Sequence, residues 1–194
     1  MILVLAAVLT NACNNSRTGL ERYELDCSVE MDLNKFMMNN RYYSIEVPSS
    51  WEIQILEPTN SNEISTVIFN DTISELYDKG KIVQLKILVI TNYIGKYKSL
   101  EEENKNSLKG FQDLYPNSEI IEKGSTNIFS EDAYYVEFRE STDMGNANTI
   151  MFLVKDNQKN DEYFVLNSTI YGDNISDLEV CEMLNILRTF NTTD

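Results

Sequence analysis

Alternation of apolar and polar residues is the clearest pattern in this chain. In residues 23–33 apolar side chains occupy every odd position and polar side chains every even one. This pattern predicts a β-strand with one buried face and with Cys27 pointing inward. Residues 42–56 alternate on both sides of Pro48, and the only tryptophan, Trp51, follows this break. Because proline cannot donate a hydrogen bond to a neighbouring strand, we predict that Pro48 ends the first strand of a core hairpin.

Six further segments are short, rich in β-branched or aromatic residues, and bounded by Gly, Asn or Asp. This composition is typical of strands. The second segment is almost wholly apolar, as expected of a central strand that is covered on both faces. The six predicted strands span residues 64–69, 82–91, 119–124, 133–140, 149–154 and 163–171.

Two segments have the pattern of amphipathic helices. Each begins with a capping box, in which a serine is followed three residues later by glutamate. Apolar residues then recur three or four positions apart, and Pro116 ends the first helix. The inward positions are Leu100, Asn104, Leu108, Phe111 and Tyr115 after Ser99 and Glu102, and Val180, Cys181, Leu184, Leu187 and Phe190 after Ser176 and Glu179.

The first thirteen residues resemble the export signal of bacterial lipoproteins. Residues 1–12 are uncharged and mostly apolar, and Cys13 follows the small residue Ala12, as in a lipobox. The resemblance implies a signal peptide over residues 1–12, a lipidated Cys13, a membrane anchor and a tether over residues 13–22. An ordinary secretory signal or a buried first strand are the alternatives. The length and composition of the chain suit one domain, which we place at residues 23–194.

Charge and histidine content exclude several classes of function. The chain carries 31 acidic and 16 basic residues, for a net charge of -15, and the basic residues are scattered. Such a surface repels phosphate groups, so we expect no nucleic-acid partner. The chain has no histidine. This excludes a Ser-His-Asp or Cys-His catalytic system and any metal site with an imidazole ligand.

Cys27 and Cys181 remain once Cys13 is assigned to the anchor. In an oxidising compartment they are a candidate disulfide, which would close most of the chain into one loop and stabilise the fold by about 5 kcal/mol. The alternative is that both are buried free thiols that pack as small hydrophobic residues.

The remaining candidate sites favour structural interpretations. Residues 156–162 are rich in oxygen ligands, but the glycine of a calcium loop is missing, so a solvated hairpin turn is expected. Residues 143–146 include Gly145 and predict another hairpin loop. The acidic residues 101–103 complement the dipole of the first helix and need no ligand. Eleven tyrosines could form a sugar- or peptide-binding surface, but half-buried positions on a covered sheet are the favoured explanation.

The motif Tyr43-Ser-Ile-Glu-Val-Pro-Ser-Ser-Trp51, the helix after Ser99 and the closing helix that ends at Phe190 resemble the PsbP/Mog-like fold. The resemblance covers roughly residues 42–190. It implies an α+β fold in which a mainly antiparallel sheet lies between helices, an αβα sandwich. Members of the family include photosystem extrinsic subunits, a nuclear-import accessory factor and bacterial lipoproteins, and the family has no shared catalytic residues.

We therefore expect a non-enzymatic, lipid-anchored accessory or binding module of a bacterial cell envelope, without cofactor or metal, that faces the periplasm or the exterior. Its partner would be another envelope protein or a small ligand. Two alternatives remain open. A carboxylate-dependent hydrolase acting on envelope material would need two acidic side chains in one pocket, roughly 5 to 10 Å apart. A carrier of a small apolar ligand would need a deep apolar cavity between helices and sheet.

Overall fold

The computed structural model describes residues 19–26, 31–38, 43–56, 64–70, 84–129, 132–142, 145–156, 159 and 161–192. These residues form an N-terminal 3₁₀ helix, Gly19–Asp26, and two α-helices, α1 (Leu100–Leu114) and α2 (Asp177–Leu187). The strands are β1 (Leu33–Met37), β2 (Tyr43–Pro48), β3 (Glu52–Leu56), β4 (Ile64–Phe69), β5 (Leu85–Ile94), β6 (Glu119–Thr126), β7 (Ala133–Thr142), β8 (Gly145–Lys155), β9 (Glu162–Tyr171) and β10 (Asn191–Thr192).

The strands form two antiparallel sheets. The larger has seven strands in the order β3-β4-β5-β9-β8-β7-β6, and the smaller has the order β1-β2-β10. Strands β6 to β9 follow one another along the chain as a meander, and β5 joins β9 through ten consecutive residue pairs. The structure therefore confirms the expected class, a mainly antiparallel α+β fold with helices on both faces of the sheet.

Neighbouring residues of each strand point to opposite faces of the large sheet. One face packs against α2, the 3₁₀ helix and the small sheet, and this packing forms the main core. Lys86 reaches across that face from β5 to form an ion pair with Glu182 of α2. The opposite face packs against α1 through a smaller cluster around Phe111 and Phe138. The apolar cluster on the α1 face is thus much smaller than the main core on the opposite face.

The predicted hairpin over residues 42–56 is wrong. Both strands exist, but β2 belongs to the small sheet and β3 to the large one. A turn in which the Trp51 N–H donates to the Pro48 carbonyl (3.0 Å) carries the chain from one sheet to the other. Alternation indicates which face of a strand is buried and carries no information on which strand it pairs with.

The predicted strand over residues 23–33 is also wrong in its first part. Gly19–Asp26 is a 3₁₀ helix, so the described fold begins within the predicted tether, and Leu20 and Tyr23 are buried in the core. Within the next described stretch, residues 31–38, a strand begins at Leu33. The 3₁₀ helix is held by contacts of Arg22 and Tyr23 with the buried Glu137, which lies more than one hundred residues away along the chain. Local alternation could not reveal such a contact.

The remaining elements agree with their predictions to within a few residues at each end. Strand β4 matches its predicted limits, and β7 and β8 form the hairpin in which Gly145 has a φ of 108°. Ser99 caps α1, and Ser176 with Glu179 forms a complete capping box at α2. The five predicted inward positions of the last helix and its extension are all buried. Among the described residues, no helix is long and apolar enough to cross a membrane.

Candidate binding cleft between helix α1 and the sheet

Helix α1 covers only part of its face of the large sheet. Its apolar side chains Leu108 and Phe111 pack on Val136, Phe138 and Met151, which belong to β7 and β8. Beside this contact lies an open cleft of about 610 Å³, bounded by α1 and by strands β5, β7, β8 and β9. We call it the α1 cleft. Strand β5 is central, as predicted, but it is not covered equally on both faces, because its residues Ile87 and Val89 line the cleft and are only half-buried.

The cleft has an apolar floor and polar walls. Aliphatic side chains of β5, β8 and β9 form the floor, and amide and hydroxyl groups of α1 and the strands surround them. A cavity of this size and mixed lining is typical of a binding site. The floor residues are Ile87, Val89, Met151 and Val165, and the amide and hydroxyl groups belong to Thr91, Asn106, Ser107, Thr149, Asn167 and Thr169.

At one end of the cleft, Glu103 is almost fully buried and both of its carboxylate oxygens accept hydrogen bonds. Oε1 accepts from the hydroxyl of Tyr93 (3.1 Å) and Oε2 from the backbone N–H of Tyr97 (2.8 Å). Burial, together with the nearby Glu103 charge, raises the pKa of Tyr93 well above its usual value. The backbone at Gly95 is packed so closely that a Cβ atom there would lie 2.3 Å from the ring of Tyr163. This end is therefore closely packed, and the carboxylate of Glu103 already has hydrogen-bond partners.

The other end combines a carboxylate with aromatic rings. Glu140, Tyr115, Tyr171 and Phe138 line it together. The Tyr115 ring stacks on Phe111 at 4.9 Å and lies 6.1 Å from the Phe138 ring, and it is 45% exposed. Burial, followed by the negative charge of Glu140, raises the pKa of Tyr171. None of the ion pairs between described residues involves Glu140.

Glu140 also lines a second, more polar depression of about 570 Å³ near the ends of β6, β7 and β9. Its ionisable residues are Glu119, Arg139, Glu140 and Asp173. The two depressions share Glu140, so a ligand that extends out of the α1 cleft at this end meets further carboxylates.

A second group of buried charges lies on the opposite face of the sheet. Arg22 of the 3₁₀ helix pairs with both Glu122 and the fully buried Glu137. Glu137 also accepts a hydrogen bond from the Tyr23 hydroxyl (2.6 Å) and one from the amide of Asn148 (3.4 Å). The contacts of Arg22 and Tyr23 with the buried Glu137 hold the N-terminal segment on the domain.

Of the three cysteines to which the sequence assigns a role, Cys181 lies within the described residues. Cys13 and Cys27 lie outside the described residues, so lipidation and the pairing of the cysteines stay predictions. Cys181 is fully buried and disulfide-bonded. The 3₁₀ helix packs against α2 and ends next to position 27, which agrees with a Cys27–Cys181 bond. Part of the 156–162 loop also lies outside the described residues, and no group of three metal-ligating side chains occurs within the described ranges.

Sequence reasoning missed the charged residues that the fold buries. Glu103 was assigned to the helix dipole, although it stands four residues before Ser107 and eight before Phe111, on the same side of the helix. Glu137 follows Ala133 and Tyr135 at intervals of two residues, so its position in the strand already placed it on the same, apolar face. A charged residue at an inward position is a signal for a buried, partnered charge. The aromatic end of the cleft had no comparable signal, because its residues come from three separate elements.

No protein-family model matches this sequence, and no curated protein matches it significantly. Solved structures do resemble it. Cyanobacterial PsbP (CyanoP) from Synechocystis has 9% sequence identity and a TM-score of 0.58, with 85% of this chain and 95% of that chain covered. The Ran-binding protein Mog1p of Saccharomyces cerevisiae has 12% identity and a TM-score of 0.55, with 85% and 97% covered.

LpqN of Mycobacterium tuberculosis, described as involved in cell envelope biogenesis, has 9% identity and a TM-score of 0.55, with 91% of this chain and 98% of that chain covered. At these identities the similarity shows the fold and nothing finer. The resemblance predicted from the Tyr43 to Trp51 motif is confirmed, and the chain has the PsbP/Mog-like α+β fold.

Proposed function

We propose that this protein is a non-enzymatic, lipid-anchored binding module of a bacterial cell envelope, and that it binds its partner through the α1 cleft. The observation that carries the proposal is the cleft itself. It is the place where the fold leaves half-buried aliphatic residues of a central strand, such as Val89, next to solvent and beside polar groups that can form hydrogen bonds. The described neighbours, a Ran-binding protein and an envelope biogenesis protein, fit such a role.

The acidic residues of the cleft are arranged for binding rather than for hydrolysis. Glu103 lies in the first turn of α1, and Tyr115, which lines the Glu140 end, follows its last turn. Twelve residues of helix separate these positions, which is about 18 Å. Glycoside hydrolases of the two-carboxylate kind need their acidic groups roughly 5 to 10 Å apart. In addition, both oxygens of Glu103 are already engaged by Tyr93 and Tyr97.

A membrane anchor is supported by the apolar segment before Cys13, and LpqN, which is similar in fold, is described as involved in cell envelope biogenesis. With a net charge of -15 the protein gains nothing from anionic lipid headgroups. A diacylated cysteine would hold it at the membrane without help from surface charge.

A carrier of a small apolar ligand is the second candidate, because the volume of the cleft suits a ligand of drug-like size. The cleft is open, however, and carboxylates lie at both ends. These features favour a segment of a partner protein over an apolar molecule that must be shielded from water.

Two experiments test the proposal. A photo-crosslinking amino acid at Asn106, which lines the cleft, should yield a specific adduct in native membranes, and mass spectrometry would identify the partner. The matched control is the same amino acid at Gln112, which is exposed on the opposite side of the same helix. Equal adducts from both positions, or none from Asn106, would contradict the proposed site.

Metabolic labelling with palmitate should mark the wild-type protein and not Cys13→Ala; unlabelled wild-type protein would refute the anchor.

A further inference from the structure

We propose that the occupant of the α1 cleft is an amphipathic, positively charged segment of a partner protein, and that a Lys or Arg side chain of this segment binds at the end formed by Glu140, Tyr115, Tyr171 and Phe138. This inference rests on the proposed function and gives the chemistry of its ligand. Charge, the aromatic end and the apolar floor are three separate observations that point to it.

The charge of the cleft selects a cation. The ionisable groups that line it are the carboxylates Glu103 and Glu140 and the tyrosine hydroxyls, and no lysine or arginine is among the described lining residues. The adjoining depression adds Glu119 and Asp173 against Arg139 alone. Phosphorylated or otherwise anionic ligands are therefore repelled, both here and by the total charge of -15.

The position of the cation follows from the two carboxylates. Glu103 already receives two hydrogen bonds from Tyr93 and Tyr97, whereas Glu140 forms none of the ion pairs found between described residues. Glu140 is also the residue that the two depressions share. A cation at this end is attracted to its carboxylate from either side.

Aromatic rings strengthen the same end. The exposed Tyr115 ring is fixed by stacking on Phe111 at 4.9 Å, and Phe138 and Tyr171 lie beside it. A cation within about 6 Å of a tyrosine ring is attracted by the negative charge above the ring face, and a nearby carboxylate adds to this attraction. The rings also offer apolar contact to the methylene groups of a lysine or arginine side chain.

The floor accounts for the amphipathic character of the occupant. Ile87, Val89 and Val165 offer apolar contact, while the amides of Asn106 and Asn167 can bond to a peptide backbone. A free small cation would leave the aliphatic floor unused, and a purely apolar chain would leave the carboxylate and amides without partners. A polypeptide segment with both kinds of side chain uses all three parts of the cleft.

The test measures fluorescence anisotropy of three dye-labelled, twelve-residue peptides with the full-length protein. In each peptide, pairs of leucine alternate with pairs of a second residue. This second residue is lysine in the first peptide, glutamine in the second and glutamate in the third. We expect the lysine peptide to bind at least tenfold more tightly than the other two, and its affinity to fall as salt rises. Glu140→Gln should weaken that binding about threefold to tenfold, whereas Glu46→Gln, which removes the same charge from an exposed position of β2, should leave it unchanged.

Tyr115→Leu should weaken binding of the lysine peptide about threefold and Tyr115→Phe should not, because phenylalanine keeps the ring. Thermal unfolding of each variant would establish that it is folded. Equal affinity for all three peptides, or equal effects of Glu140→Gln and Glu46→Gln, would overturn the inferred ligand chemistry. A specific adduct from Asn106 combined with such a result would leave the binding function intact and refute only its cationic partner.

Discussion

The two faces of the seven-stranded sheet are built from neighbouring residues of the same strands, yet one is closed and the other is open. In β9, Phe164 and Leu166 are fully buried in the main core, while Val165 and Asn167, which follow each of them, lie on the α1 face and are half-buried. The comparison shows that one sheet can build a packed core on one side and leave an open cleft on the other.

The helices explain the difference. Six of the eleven residues of α2 are buried, so the helix joins the main core along most of its length. Helix α1 carries Glu101, Glu102 and Glu103 in its first turn, and among its described side chains Glu103 and Phe111 are the buried ones. A helix with a narrow apolar stripe can cover only a narrow strip of sheet.

Truncation of adjacent residues in β9 provides the largest contrast between the faces. Phe164→Ala removes a ring that packs against Phe190 (5.3 Å) and Tyr43 (5.9 Å), and should reduce the free energy of unfolding by about 3–5 kcal/mol. Val165→Ala, on the cleft side, should cost less than about 1.5 kcal/mol because the side chain is only half-buried. Urea unfolding measures both values. Similar losses would mean that the α1 face is closed as well.

Removal of Arg22 tests how firmly the closed face holds the N-terminal segment. Arg22→Ala leaves the carboxylate of Glu137 buried without its cation, and we expect a loss of about 2–4 kcal/mol, allowing for the partial exposure of Arg22. The exposed Arg139 provides the control, and Arg139→Ala should change stability by less than about 0.5 kcal/mol. If both variants unfold at the same urea concentration, the network contributes nothing to stability.

The buried Tyr43 on the closed face should also make the free energy of unfolding decrease at alkaline pH. Burial raises the pKa of Tyr43 from 10.0 to about 12, against a smaller opposing effect of its hydrogen bond to Thr66. Because the folded state keeps the proton that the unfolded state loses, this residue stabilises the fold fully below pH 10 and progressively less as the pH rises to 12. The loss should be about 2 kcal/mol. Unfolding measured between pH 9 and pH 12 should show a shallower decline in Tyr43→Phe, and an identical decline would refute the assignment.

The smallest predicted difference concerns the two helix caps. Ser176 accepts from the Glu179 N–H and Glu179 bonds back to the Ser176 N–H (2.7 Å), so Ser176→Ala should cost about 1 kcal/mol. At α1 the bond from the Glu102 N–H to Ser99 (3.5 Å) is about as long as its counterpart at α2 (3.4 Å), but Ser176 also donates to the Glu179 carboxylate (3.0 Å) and Ser99 has no described bond of that kind, so Ser99→Ala should cost less than about 0.5 kcal/mol. Thermal unfolding of the two variants measures both losses of stability. A larger loss for Ser99→Ala would mean that α1 is more tightly held than the open cleft implies.

Local patterns in the sequence predicted most of the elements and the fold class. A β-branched and aromatic composition identified β4 and β7, and serine with a following glutamate identified both helix starts. These features depend on residues close together in the chain. The pairing of β2 and β3 in different sheets was not predictable in this way, because it depends on contacts with β10 and β4.

The candidate site was less predictable for the same physical reason. Glu140, Tyr115 and Tyr171 come from β7, the end of α1 and β9, and only the tertiary fold brings them to one place. The 3₁₀ helix likewise owes its position to Arg22 and the distant Glu137. A search for charged residues at inward positions would have marked Glu103 and Glu137, but it would not have revealed the open half of the α1 face.

The most direct test of the account is to map where the lysine-containing peptide binds. A photo-reactive form of that peptide, crosslinked to the full-length protein and analysed by mass spectrometry, should label α1 and strands β5 and β9 at residues such as Asn106, Val89 and Asn167. Excess unlabelled peptide should abolish these adducts. Adducts on α2 or on the small sheet, or adducts scattered over the acidic surface, would contradict the assignment of the open face as the binding surface.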